Sequence, residues 1–396
     1  MSFLRNYLNK IKPNFEKDGK LHAFHSLFDG FETFLYVPNT TSKNGVHIHD
    51  AIDSKRIMSV VVLALMPALL FGMYNVGYQN YLAAGTLAEA SFFSIFFYGF
   101  LAVLPKILVS YIVGLGIEFA WAQWKGEEIQ EGFLVSGILI PMIVPVNCPL
   151  WILAVAVAFA VIIGKEIFGG TGMNIFNPAL VCRAFLFFAY PSMMSGDKVW
   201  VADEKILGLG NNLAETLNVD AFTQATPLAE VGQGINPVDA GTSLCDMICG
   251  FIPGSIGETS VIAIALGGLL LLITGIASWK TMLSVFVGGG LTAALFAATG
   301  STVIPWYEHL VLGGFAFGAV FMATDPVTSA RTETGKWIYG FIIGVMAIVI
   351  RVMNPGYPEG MMLAILLMNM FAPTIDHFVV ERNISKRMKR SKEVKE

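Results

Sequence analysis

Charge is scarce in this sequence. Only 14% of its 396 residues are Asp, Glu, Lys or Arg, whereas 55% are hydrophobic. So little charge excludes an ordinary soluble domain, and we expect no nucleic-acid partner. Cysteine is scarce too: Cys148, Cys182, Cys245 and Cys249 form no CxxC pair and have no His-rich partner spacing, so we expect no metal site. We also expect no cleavable secretory signal, because residues 1–55 are polar and mixed.

Long apolar runs are abundant instead. About 20 apolar residues suffice to cross a bilayer as a helix, and runs near that length recur along the chain. They predict an all-α polytopic membrane protein with about ten transmembrane helices. The second run is too long for one crossing, so we expect Pro105 and Lys106 to divide it, with residues 92–104 as a tilted or surface extension. The runs cover residues 57–76, 92–124, 132–146, 150–168, 175–191, 259–276, 280–299, 307–324, 337–353 and 360–379.

The basic residues predict how these helices are oriented. The arm 1–55 and the tail 381–396 are rich in Lys and Arg, so the positive-inside rule puts both termini in the cytoplasm. The loop 192–257 has only Lys198 and Lys205 as basic residues and is otherwise acidic, so it belongs on the non-cytoplasmic side of the membrane. Alternate short loops, all expected on the cytoplasmic side, carry Lys125, Lys165, Lys280, Arg331 and Lys336.

An internal repeat relates the two apolar halves of the chain, residues 56–191 and 258–380. At an offset of 177, Glu131 meets Glu308, Gly137 meets Gly314 and Pro149 meets Pro326. The offset pairs the third helix with the eighth, as two inverted five-helix repeats require. We therefore expect that architecture, with the loop 192–257 between the halves.

Glycine and proline cluster where two of these helices begin or end. The stretch from Gly169 to Pro178 precedes the fifth helix, and Ala323-Thr-Asp-Pro326 ends the eighth. Irregular backbone at membrane depth persists only where it is buried or lines a cavity, so both breaks indicate a ligand site. Close helix packing is an equally natural use of the glycines.

The loop between the halves contains Asp220-Ala-Phe-Thr-Gln-Ala-Thr226. This stretch resembles the acceptor motif at which a flavin transferase joins flavin mononucleotide (FMN) to a threonine hydroxyl through a phosphoester. The resemblance makes Thr226 the modified residue, with Asp220, Thr223 and Ala225 as parts of the motif. Gln224 departs from the pattern, because glycine is usual there. Ordinary turn chemistry is the alternative for a Thr-Pro step in a polar loop.

Further stretches carry a resemblance that covers essentially the whole chain. They are Gly164 to Leu180, Arg183 to Pro191, Phe321-Met-Ala-Thr-Asp-Pro326, Asn354-Pro-Gly-Tyr-Pro-Glu-Gly360 and Phe371 to Arg382. The sequence resembles the B subunits of bacterial sodium-translocating NADH:quinone oxidoreductases. That family implies an electron-transfer subunit of a six-subunit complex, with covalent FMN, non-covalent riboflavin, a quinone site and a fold similar to urea and ammonium transporters. The related D subunits of ion-pumping ferredoxin:NAD oxidoreductases remain an alternative.

The resemblance also suggests where ligands bind. We expect riboflavin at Asn174 and Asn177, whose amides can pair with a flavin edge. The cytoplasmic arm is associated with quinone, for which the candidates are Phe24, Phe28, Asp29 and Tyr36. No catalytic residue is assigned, because another subunit of such complexes oxidises NADH.

Ionisable residues in or beside apolar runs are costly and are usually functional. We predict that Glu131, Glu308 and Asp376 line a sodium pathway, although each glutamate is equally explained as a helix cap. A channel for a small solute, without redox function, is the competing interpretation. Arg183 and Arg331 are explained equally well by neutralisation of nearby carboxylates or by anchoring in lipid headgroups. Other ionisable residues in or beside the apolar runs are Glu118, Glu166, Arg183, Asp325, Arg351 and Glu359.

Overall fold

The computed structural model describes residues 2–15, 28, 45–46, 54–125, 132–194, 199–213, 215, 225–354 and 359–393. Across these residues the secondary structure is helical, apart from one isolated bridge between Ile206 and Leu209. The expected all-α class is confirmed.

The helices are numbered here in chain order. Short 3-10 turns lie between several of them, and a π-helical turn, Gly318–Met322, follows α12. The helices are α1 (Ser2–Ile11), α2 (Ser54–Ala83), α3 (Phe92–Lys125), α4 (Phe133–Met142), α5 (Leu150–Gly164), α6 (Pro178–Ala189), α7 (Pro227–Gly232), α8 (Leu244–Cys249), α9 (Val261–Ile273), α10 (Trp279–Ala298), α11 (Glu308–Val311), α12 (Phe315–Phe317), α13 (Glu333–Met353) and α14 (Met361–Glu393).

Six helices in the described part of the chain are long and apolar enough to cross a membrane, and α4, α6 and α9 are shorter apolar helices. Each of the ten predicted runs overlaps helical structure, which supports a polytopic membrane protein. The predicted division of the second run is wrong, since α3 continues through Pro105 as one helix of 34 residues. Proline removes one backbone hydrogen bond, and the packing of α3 against its neighbours tolerates that loss.

Glycines bring several helices into backbone contact. A Cβ on Gly344 of α13 would lie 2.2 Å from the Val285 carbonyl oxygen of α10. In the same way, a Cβ on Gly267 of α9 would lie 2.1 Å from the Ala64 carbonyl oxygen of α2. Small residues allow such approach where lipid supplies no hydrophobic drive between helices. The second contact joins the two apolar halves.

Polar side chains fasten the loops to the helices. Asn80 of α2 donates from its amide to the carbonyl oxygens of Ala202 and Asn211, at 2.8 and 3.0 Å. Asn75, one turn earlier, donates to the Ile252 carbonyl oxygen at 2.9 Å. Both asparagines are buried, so these bonds satisfy carbonyls that lie away from water. The segments around residues 200–212 and 252 are thereby held against the same end of α2.

Candidate functional site

The break before α6 is built from glycines and two asparagines. Gly169 and Gly172 have φ angles of 113° and 92°, which side chains with a Cβ rarely adopt. Asn177 then caps α6: its side-chain oxygen accepts from the backbone nitrogen of Ala179 at 3.0 Å. Asn174 closes the loop, donating to the Phe176 carbonyl oxygen at 2.8 Å. The chain therefore enters α6 from an ordered, irregular segment at the expected position.

The second break meets the first. Asp325 follows the π-helical turn, and one of its carboxylate oxygens accepts from the amide of Asn177 at 3.3 Å. The same carboxylate accepts from Thr328 Oγ1 at 3.0 Å and from the Val327 nitrogen at 3.1 Å. Asp325 was expected as part of this break and as one of several buried ionisable residues, but not as a partner of Asn177. Its place beside Asn177 depends on a contact between residues 148 apart.

A cavity lies at this junction. It is bordered by both breaks, by the start of α2 and by α4. The part of the cavity that can hold the centre of a water-sized sphere has a volume of about 80 Å³. All of the empty space, with the open mouth included, amounts to about 740 Å³. Thr171 Oγ1 is buried and has no hydrogen-bond partner within the described residues. The polar residues that border the cavity are Ser136, Lys165, Thr171, Asn174, Asn177, Thr324 and Asp325.

The donors around the cavity fit the polar edge of a flavin. Each asparagine amide has two N–H hydrogens, and one hydrogen bond is made by the amide of Asn174 and one by that of Asn177. A second hydrogen on each amide, together with Thr171 Oγ1, can therefore serve a ligand. The enclosed space is small for a three-ring system, so such a ligand must also use the open mouth.

Thr226 is not on the exposed loop that we expected. It is half-buried and caps α7, with its Oγ1 accepting from the Ala229 nitrogen at 3.2 Å. Leu228, two residues later, packs into a small apolar cluster with Met247, Ile304 and Leu312. In the same turn, burial raises the pKa of the Glu230 carboxyl. The hydroxyl thus stands on a fixed helix start.

Glu308 begins α11 and is only 3% exposed. Its Oε2 has no hydrogen-bond partner among the described residues, and neither has Nδ1 of the adjacent His309. The other ring nitrogen of His309 lies 3.0 Å from Thr302 Oγ1. A buried carboxylate with a free oxygen is a suitable ligand for a hard cation.

Asp376 has a different environment. It lies on α14, and its carboxylate accepts from the Arg331 nitrogen at 2.7 Å, the Thr332 nitrogen at 3.0 Å and Thr332 Oγ1 at 2.5 Å. Thr332 in turn caps α13 by accepting from Gly335. These bonds are those of a brace between α14 and the start of α13.

Arg183 of α6 is 3% exposed and joins two loops of the second half. It donates to Glu258 at 2.6 Å and forms an ion pair with Glu359. Breaking such a buried pair costs about 3 to 5 kcal/mol. This geometry favours the interpretation that Arg183 neutralises neighbouring carboxylates.

Several candidate residues lie outside the described part of the chain: Phe24, Asp29, Tyr36, Glu131, Asp220 and Thr223. Phe28 is described and stacks on Phe15, with ring centroids 4.6 Å apart. Gly132, the residue after Glu131, borders the cavity at the two breaks.

Comparison with known proteins identifies the family. Residues 41–385 match the NQR2, RnfD, RnfE family. The B subunit of the Na(+)-translocating NADH-quinone reductase from Chromohalobacter salexigens is 48% identical, over 98% of this chain and 96% of the relative. The proteins of the same description from Ectopseudomonas mendocina and Azotobacter vinelandii are each 45% identical, over 98% of this chain and 99% of theirs. Likeness of this extent, spanning both helix breaks and the Thr226 segment, means that the chain belongs to the NQR2, RnfD, RnfE family.

Proposed function

We propose that this chain is the membrane-embedded B subunit of a sodium-translocating NADH:quinone reductase, in which it passes electrons to quinone. The observation that carries the proposal is the 44 to 48% identity with proteins of that description, over 98% of the chain. The partners are then the other subunits of a six-subunit complex, quinone, sodium and, during maturation, a flavin transferase. A bacterial inner membrane is the location.

Thr226 is the proposed site of covalent FMN. Its hydroxyl oxygen keeps its hydrogen bond to Ala229 if a phosphoester forms, because an ester oxygen still accepts. Leu228 holds the attachment point against the second half of the protein. Asp220, Thr223 and Ala225 remain the proposed recognition residues for the transferase.

Gel fluorescence tests this assignment. We expect Thr226→Ala to remove flavin fluorescence from the denatured subunit, while Thr226→Ser, which keeps a hydroxyl and a cap, retains it. Loss of the cap in the alanine variant costs about 1 kcal/mol, so assembly should survive. Ser243→Ala is the matched control, because Ser243 caps α8 in the same loop but lies outside the motif, and it should keep its fluorescence. A fluorescent Thr226→Ala subunit would show that flavin is attached elsewhere.

Riboflavin is proposed to bind at the two helix breaks, with Asn174 and Asn177 as donors and Asp325 orienting the Asn177 amide. A bound flavin supplies reversible electron transfer. The protein contributes the donors, the buried carboxylate and the apolar wall that includes Phe321. This arrangement explains why glycines and asparagines replace regular helix there.

The variant Asn177→Asp isolates the donor. Aspartate can still cap α6 but removes the amide hydrogens and puts a second carboxylate beside Asp325. We expect acid-extractable riboflavin in the purified complex to bind about tenfold more weakly, the effect of losing one hydrogen bond worth about 1.4 kcal/mol. Asn236→Asp is the control. The side-chain oxygen of Asn236 accepts from the backbone nitrogen of Val238, as that of Asn177 does from Ala179, but Asn236 lies on an exposed loop. Equal riboflavin content in both variants would contradict the proposal that riboflavin binds at this site.

Sodium is proposed to move past Glu131 near the inner face of the membrane and Glu308 near the outer face, which two inverted five-helix repeats would relate. Asp376 lies near the cytoplasmic end of the apolar part of α14. Quinone is proposed to contact the arm through Phe24, Phe28, Asp29 and Tyr36. The family also includes RnfD, so a role in a ferredoxin:NAD oxidoreductase is the alternative. A simple solute channel is disfavoured by the flavin-acceptor motif. Flavin fluorescence of the denatured wild-type subunit on a gel would exclude such a channel.

A further inference from the structure

A second cavity lies away from both proposed flavin sites. It is bounded by α3, by the turn between α4 and α5, and by the segment 199–206 that is fastened to α2. Its volume is about 530 Å³, within the range of about 300 to 1,000 Å³ typical of small-molecule sites. Its wall includes Lys106, Asn147, Leu150, Met193, Asp203 and Glu204.

Lys106 supplies a buried positive charge to this cavity. It is 6% exposed and lies in the middle of α3. Its ammonium donates only to the Ala102 carbonyl oxygen, at a long 3.4 Å, and no carboxylate of the described residues pairs with it. An ammonium in a membrane helix is expensive without a partner, so an anionic group in the cavity would stabilise it.

Two acidic residues, Asp203 and Glu204, border the same cavity. The hydroxyl of Tyr98 donates to the Glu204 carbonyl oxygen at 2.7 Å, which fixes the segment against α3 eight residues before Lys106. Asn147 donates to the Asp203 carboxylate at 3.0 Å and orients it. Because Lys106 folds back one turn to Ala102, its ammonium lies about 6 Å along the helix from the level of Tyr98. The segment that carries Asp203 and Glu204 therefore meets α3 about one helical turn from the level of the Lys106 ammonium.

An apolar surface continues from the cavity. Leu150 and Met193 are 41% and 36% exposed at its wall. Beyond Leu150, the side chains of Trp151, Val155 and Phe159 are exposed along one face of α5, four residues apart. In a membrane this face contacts acyl chains.

We propose that this cavity binds the headgroup of a zwitterionic phospholipid that carries a primary ammonium, of the ethanolamine type. The phosphate pairs with Lys106, the ammonium pairs with Asp203 and Glu204 above it, and the acyl chains lie along α5. A headgroup with net negative charge fits less well, because the two carboxylates repel it. The site is independent of electron transfer and adds a lipid that fixes the segment 199–206.

The test uses the purified complex. Tightly bound phospholipids are counted by mass spectrometry after exhaustive detergent exchange, in the wild type, Lys106→Met, Lys106→Arg and Lys205→Met. Lys205 is the matched control, because it is an exposed lysine on the same segment. Thermal unfolding is then followed with added phosphatidylethanolamine, phosphatidylcholine, phosphatidylglycerol or inorganic phosphate.

We expect Lys106→Met to lose one phosphatidylethanolamine per complex, while Lys205→Met and Lys106→Arg retain it. That lipid should raise the Tm of the wild type and leave that of Lys106→Met unchanged. If Lys106→Met does not assemble, Asp203→Asn provides the readout, since it keeps the oxygen that accepts from Asn147 and should lose the preference for ethanolamine over glycerol lipids. Equal lipid content in wild type and Lys106→Met would overturn the site. An equal Tm shift from phosphatidylglycerol would overturn the zwitterionic assignment, and one from inorganic phosphate would overturn the lipid.

Discussion

At the residue scale, two carboxylates of the proposed sodium pathway have opposite surroundings. Glu308 is buried, and one of its oxygens accepts no hydrogen bond from the described residues. Asp376 accepts three hydrogen bonds from Arg331 and Thr332. A cation needs oxygen atoms that are free to coordinate it, so Glu308 meets this requirement in the structure as it stands. Asp376 must first give up bonds that hold the start of α13.

This difference predicts different kinetic effects. Glu308→Gln removes the charge and should slow sodium release, lowering the maximal rate of sodium-dependent quinone reduction about tenfold for each 1.4 kcal/mol of lost interaction. Glu131→Gln, on the uptake side, should raise the sodium concentration that gives the half-maximal rate. The measurement is quinone reduction against sodium concentration, with flavin content checked in each variant.

Asp376→Asn separates a brace from a ligand. An amide at this position keeps one acceptor oxygen but turns its NH2 hydrogens toward the donor on the other side, the backbone nitrogen of Arg331 or the donors of Thr332. The variant should therefore lose stability at the capped start of α13. A role in the pathway requires, in addition, that its half-saturating sodium concentration rises. Unchanged sodium dependence in all three variants, with normal assembly, would mean that the ions pass elsewhere and that these residues are caps.

At the scale of helices, the positions of the helices were predicted from the apolar runs and from the glycines and prolines between them. The runs of apolar residues anticipate every long helix, and Gly169 and Pro178 correctly mark the break before α6. Pro105 was misleading because a proline inside a helix does not end it when neighbouring helices hold both sides. The end of α14 was also missed: it continues to Glu393, since Lys, Arg and Glu after residue 379 favour helix as well as apolar residues do.

The site itself could be predicted only in pieces. Asn177 was identified from its break, and Asp325 from its position in an apolar run. Their contact joins residues 148 apart and depends on how two irregular segments pack, which no local pattern encodes. The exposure of Thr226 was wrong for a similar reason: Leu228 is buried by Ile304 and Leu312, which lie far along the chain.

At the scale of the whole molecule, the proposed inverted repeat relates parts of the two apolar halves. Gly267 packs on the backbone of Ala64, so the first helix of each half lies against the other. The pair Asn177-Pro178 recurs as Asn354-Pro355 at the same offset of 177 that relates Pro149 to Pro326. In such repeats the equivalent breaks open toward opposite faces of the membrane. The proposed repeat would make the riboflavin cavity beside Pro326 and the lipid cavity beside Pro149 counterparts on opposite faces.

That arrangement requires both termini on one side and the loop 192–257 on the other. The native cysteines allow a direct test, because Cys245 in this loop is exposed, Cys249 is half-buried, and Cys148 and Cys182 are buried. We expect a membrane-impermeant maleimide to label the wild type in sealed right-side-out vesicles. Labelling should disappear in Cys245→Ser.

A cysteine in the C-terminal tail tests which side of the membrane that tail occupies. Ser391 is exposed near the end of α14, in the basic tail. In the Cys245→Ser background, Ser391→Cys should react only after the vesicles are permeabilised, because the tail is cytoplasmic under the positive-inside rule. If Cys245 instead reacts only after permeabilisation, and Ser391→Cys reacts before it, the molecule is inverted. Thr226 and its flavin would then face the cytoplasm, and Glu308 would become the entrance for sodium instead of its exit.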